Sequence, residues 1–124
     1  MNLTNKVLKL LGMKLAADML ENPVPSEQKL FRAILTLALE DVLSNSQGRH
    51  ESVVKAEAHD WFMSDSEDYK NVCYIAGLDS DWVRERYVKA LDGGQVVFTM
   101  KQHLQVKYTR LYEDLRAAKD TGHR

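Results

Sequence analysis

The sequence predicts an all-α fold: a compact bundle of five to six helices containing a helix-turn-helix, in one domain spanning residues 1–124. Three observations carry this. Leucine-rich stretches repeat at the 3.6-residue helical period. Caps and breakers divide them at Asn22-Pro23-Val24-Pro25, Ser64-Asp65-Ser66, Ala76-Gly77-Leu78-Asp79 and Asp92-Gly93-Gly94. Only Gln95 to Phe98 has strand character, and a lone short run with no partner strand reads as a connector or a helix start.

The first helix is expected from Leu3 or Thr4 to Glu21, with Val7, Leu8, Leu10, Leu11, Leu15 and Leu20 forming its apolar stripe. Pro23 and Pro25 end it, because proline cannot donate a backbone hydrogen bond. Ser26 can cap a second helix, which places Leu30, Ile34, Leu37, Leu39 and Val42 at the centre of the core. Ser44 to His50 is polar, contains Gly48 and reads as a loop before a third helix, Ser52 to Met63, ending in Trp61-Phe62. Those aromatics are expected to pack against the following helix pair.

Ser64-Asp65-Ser66 opens a fourth helix, which stops at Ala76-Gly77, where glycine can take the left-handed conformation of a helix end. Asp79 or Ser80 caps a fifth, sending Trp82, Val83, Tyr87, Ala90 and Leu91 toward the core until Asp92-Gly93-Gly94 breaks it. Thr99 caps a long last helix to about Lys119, with Leu104, Tyr108, Leu111, Tyr112 and Leu115 on one face. The helix-turn-helix spans about residues 66–91, and the C-terminal helix about residues 99–119.

Composition narrows the function classes. The formal net charge is −1, so any affinity for nucleic acid must come from local clusters of Lys and Arg. Acids concentrate between Asp60 and Asp81, and bases between Thr99 and Arg124. No apolar run approaches the roughly 20 residues of a membrane-spanning helix. Lys6, Lys9, Lys14 and Asp18 interrupt the N-terminal leucines, unlike the continuous apolar centre of a signal peptide. Cys73 is the only cysteine, so no intrachain disulfide can form, and a cytoplasmic location is expected. His50, His59, His103 and His123 lack metal-ligand spacing, and no glycine-rich phosphate loop is present. Neither a metal, a cofactor nor an enzymatic activity is expected.

The informative segment is Val72-Cys73-Tyr74-Ile75-Ala76-Gly77-Leu78-Asp79-Ser80-Asp81-Trp82-Val83-Arg84-Glu85-Arg86-Tyr87. Cys73 is small where a large side chain would hold the two helices apart, Gly77 makes the tight turn, and Leu78 and Val83 close the core between them. This spacing resembles the helix-turn-helix of bacterial and phage regulators, with Cys73 in place of a small Ala and Asp79 in place of the capping Ser. The resemblance implies double-stranded DNA as the partner. With Trp82, Val83 and Tyr87 facing inward, Ser80, Asp81, Arg84, Glu85 and Lys89 are expected to face base edges. Arg84 is the favoured reader, since Arg contacts guanine bidentately, whereas Asp81 and Glu85 suit only cytosine N4. Lys70 is expected to hold a phosphate, as are Lys107 and Arg110 on the last helix.

A longer run, Leu30-Phe31-Arg32-Ala33, Ala58-His59-Asp60-Trp61-Phe62-Met63-Ser64, then Val72-Cys73 through Gly77-Leu78-Asp79 and Val83-Arg84, resembles short phage and prophage proteins, including relatives of activators of gene transfer agents. The resemblance covers about Leu30 to Arg86 and implies DNA binding in phage gene regulation; this chain has Ser80 where proline is expected. Two other roles fit the residues: an adaptor whose acidic face engages a basic protein such as RNA polymerase or another phage or host component, and a DNA-packaging recognition subunit. The leucines and tyrosines of the last helix equally suit a homodimer seam.

Overall fold

The structure, a computed structural model, describes Leu10 and residues 26–121, with side chains as far as Ala118. The described residues form α1 (Ser26–Leu43), α2 (Arg49–Met63), α3 (Glu67–Ala76), α4 (Ser80–Asp92) and α5 (Met100–Thr121), with no strand among them. None of these helices is long and apolar enough to cross a membrane. The expected first helix, apart from Leu10, lies outside the described residues.

The helices begin and end where local backbone chemistry demands. The hydroxyl of Ser66 accepts from the Tyr69 amide at 3.1 Å, and the carboxylate of Asp79 accepts from Asp81 and Trp82 amides at 2.8 and 3.3 Å. Thr99 and Gln102 cap α5 reciprocally: the Gln102 amide donates to Thr99 Oγ1 at 3.2 Å, and the Thr99 amide to Gln102 Oε1 at 3.0 Å. Gln102 is buried because its side-chain amide also donates to the Ser46 carbonyl at 3.1 Å and to Ser52 Oγ at 3.2 Å, tying α5 to the start of α2.

The start of α2 differs from the expectation. α2 starts at Arg49, not Ser52, because the Gly48 carbonyl already accepts from the Ser52 amide at 2.9 Å. Ser26 is the first described residue of α1. Residues 95–98 form the expected connector, with Val96 buried.

α1 packs on α2 and α3, α4 packs on α3 and α2, and α5 lies along α2. The core joins Leu10 to Leu35, Leu39, Val42 and Leu43 of α1, Phe62 of α2, Tyr69 and Cys73 of α3, and Val83, Tyr87 and Ala90 of α4. Leu39 and Val42 are buried as expected, but Leu30, Ile34 and Leu37 are exposed. α1 is apolar on most of its circumference, so periodicity alone does not pick its inner face; packing against α2 and α3 selects the Leu35 side.

Lys55 is 1% exposed, a burial that its polarity opposes. Its ammonium donates to the carbonyls of Ser44 at 2.8 Å and Val97 at 2.5 Å and sits over the Phe98 ring, so donors and charge meet compensating partners.

Candidate functional site: the α3–α4 helix pair

α3 ends in a reverse turn built on one residue. Gly77 has φ 81°, the left-handed conformation; its amide donates to the Tyr74 carbonyl at 3.0 Å, and the Leu78 amide donates to the Cys73 carbonyl at 2.9 Å. These paired bonds satisfy carbonyls of the last helical turn and reverse the chain within a few residues. α1 supplies further partners: Arg32 Nε and Gln28 Nε2 donate to the Ala76 carbonyl at 2.9 and 3.3 Å. A guanidinium there also complements the negative end of the helix dipole.

α3 and α4 are joined by packing and by a cross-link. Cys73 is fully buried in the core, in the cluster that also holds Tyr69, Val83 and Tyr87. Burial pushes its thiol pKa up, favouring the protonated form. The Tyr69 hydroxyl donates to the Ser80 carbonyl at 2.7 Å, fixing the first turn of α4 against α3. Below the pair, Phe62 stacks on Tyr87 with centroids 4.8 Å apart, and Trp61 meets Tyr69 edge-on at 5.0 Å. Trp61 and Phe62 thus pack where the sequence placed them.

Arg84 departs from its expected outward position. Its side chain is only 21% exposed and turns back over the end of α2. Nε donates to the Phe62 carbonyl at 2.9 Å, Nη2 meets Asp65 Oδ1 at 2.8 Å, Nη1 lies 3.5 Å from Asp81, and the guanidinium covers the Tyr69 ring. The physical reason lies in the preceding loop: Asp65 adopts φ 56° and brings its carboxylate to the guanidinium. The hydrogen bond from Arg84 is the main influence holding the Asp65 carboxyl below its usual pKa. Lys70, expected to be free for phosphate, is 3.5 Å from the same Asp65 and 3.8 Å from Glu67.

The structure therefore separates the residues that the sequence grouped. Asp81, Glu85 and Lys89 form an exposed row on α4, and Tyr74 projects from α3 into solvent. Ser80 is half-buried with its carbonyl engaged, and Arg84 and Lys70 are drawn onto Asp65. Lys107 is exposed on α5, while Arg110 on the same helix is 3.3 Å from Asp60 and 3.7 Å from Asp114. Arg86 was not among the expected contacts; its guanidinium lies over the Trp82 ring at 5.7 Å. Asp65 was likewise missed, its only signal being its place among the caps before α3. Among the described residues no cluster of His, Cys, Asp and Glu is arranged to hold a metal ion.

No known protein family, curated protein or solved structure matches the chain.

Proposed function

We propose that the α3–α4 pair is a helix-turn-helix that docks on double-stranded DNA, and that the chain is a regulator of the phage type its sequence resembles. The observation that carries this is the combination at the crossing: a left-handed Gly77 turn, a fully buried Cys73 and an Asp79-capped second helix. Together they meet the steric demands of the motif and leave the opposite side of α4 facing solvent. In this reading Arg84 is a positioning residue, clamping the start of α4 to Asp65 and the end of α2. Base contact falls to the exposed row. Glu85 can accept from cytosine N4, Lys89 can neutralise a phosphate, and Tyr74 can reach the backbone from α3.

Charge favours a second reading. Glu67, Asp68, Asp81 and Glu85 are exposed on the pair, while Lys70 and Arg84 have carboxylate partners. Such a face repels phosphate and suits a lysine-rich protein partner. Enrichment of random duplexes on the purified full chain separates the two. DNA reading predicts a selected site, at which Glu85→Ala loses about 1–3 kcal/mol of discrimination at one base position. Lys89→Ala should instead weaken all duplexes alike. No enriched site, together with binding of a lysine-rich peptide that Glu85→Lys abolishes, would establish the adaptor role.

A further inference from the structure

α5 carries an apolar face that no described helix covers. Leu104, Tyr108, Leu111 and Leu115 are 48%, 63%, 54% and 62% exposed. Their spacing alternates between four and three residues, the seam of a two-helix coil. The opposite side of the helix is already used: Gln102 is buried on Ser52, and the half-buried Val106 and Thr109 lie toward α2. From Arg110 to Ala118 every side chain is exposed. A contiguous apolar strip of this kind marks an interaction surface.

We infer that this strip pairs with α5 of a second copy, running antiparallel. The charges beside the seam choose both occupant and direction. Lys107 and Asp114 flank the same edge one heptad apart. When two α5 helices run in opposite directions, with Leu104 against Leu115 and Tyr108 against Leu111, Lys107 of each copy lies beside Asp114 of the other, so the attraction occurs twice. A parallel pair would place Lys107 beside Tyr112 and lose it. The antiparallel arrangement also lays the exposed second half of each α5 along the partner's first half, which Gln102 ties to Ser52. It holds whatever the α3–α4 pair binds.

Sedimentation equilibrium of the full chain tests the pairing, with circular dichroism confirming that each variant is folded. The native chain should form dimers reversibly, with a monomer–dimer balance that shifts with protein concentration. Leu111→Glu, at an exposed position, should remain helical and sediment as a monomer. Lys107→Glu should weaken the dimer several-fold by setting a second carboxylate beside that of Asp114, and adding Asp114→Lys should restore it. A native chain that stays monomeric, a dimer indifferent to Leu111→Glu, or a charge exchange that fails to restore association would each overturn the inference.

Discussion

The guanidinium of Arg84 and the carboxylate of Asp65 meet at 2.8 Å across the junction between α2 and α3, and the same side chain donates to the Phe62 carbonyl at 2.9 Å. The bond to Phe62 is made from a charged group that is mostly buried, which is where such bonds matter to stability. Arg84→Ala should therefore destabilise the fold, with about 1.5–3 kcal/mol attributable to the lost charged hydrogen bond. Arg84→Lys should recover little, since an ammonium cannot reproduce the forked contacts. Thermal and urea unfolding of both variants checks this; an Arg84→Ala protein as stable as the parent would mean that Arg84 is free to act elsewhere.

Gly77 and Gly94 both have positive φ, 81° and 79°, but they differ in surroundings. A Cβ at Gly77 would lie 2.4 Å from Gln28 Nε2, whereas at Gly94 nothing lies within 4 Å. Gly94→Ala thus measures backbone strain alone, about 1–2 kcal/mol for a left-handed residue. Gly77→Ala should cost more, because Gln28 must also leave the Ala76 carbonyl, and Gly77→Val should be worse still. Equal melting temperatures for the two alanine variants would show that the turn tolerates bulk.

Cys73 is fully buried among the core side chains of α3 and its neighbours, so volume rather than polarity should govern its replacement. Cys73→Ala is expected to be tolerated, and Cys73→Leu to lose about 1–3 kcal/mol by overpacking. Denaturant midpoints of the two variants provide the comparison, with a similar loss for both speaking against close packing at this site.

His59 and the Tyr87 hydroxyl share a hydrogen bond in a site walled by Phe98. Burial lowers the His59 pKa from 6.5; nearby Asp60 opposes the shift and His103 reinforces it. Because the folded state holds this proton less tightly than the unfolded chain, stability should be full above about pH 6.5 and decline as the pH falls through the folded pKa. His59→Gln should flatten that decline. Unfolding free energies measured from pH 7.5 to pH 5 test the sign; an unaltered pH dependence in the variant would assign the effect to other groups.

The elements that a sequence specifies locally were legible in it. Ser66, Gly77, Asp79 and Thr99 act within a few residues of themselves, and each stands at the helix boundary its chemistry implies. Features set by distant partners were not. Leu30, Ile34 and Leu37 share the helical period with Leu35 and Leu39, and only the packing of α2 and α3 decides which set is covered. Arg84 sits on the correct helix, but its direction depends on a carboxylate and a carbonyl supplied by a different loop and helix. Lys55 reads as a surface residue until the carbonyls of Ser44 and Val97 converge on it.

DNA docking by the α3–α4 pair is tested most directly by titrating salt against the affinity of the full chain for a random-sequence duplex. Backbone neutralisation releases counterions, so log affinity should fall linearly with log salt, with a slope of roughly −0.9 per phosphate contacted. Lys89→Ala should make that slope shallower by about one contact while leaving the fold intact. The result that would contradict the account is an absence of duplex binding at low salt, or a binding constant that does not change as salt rises.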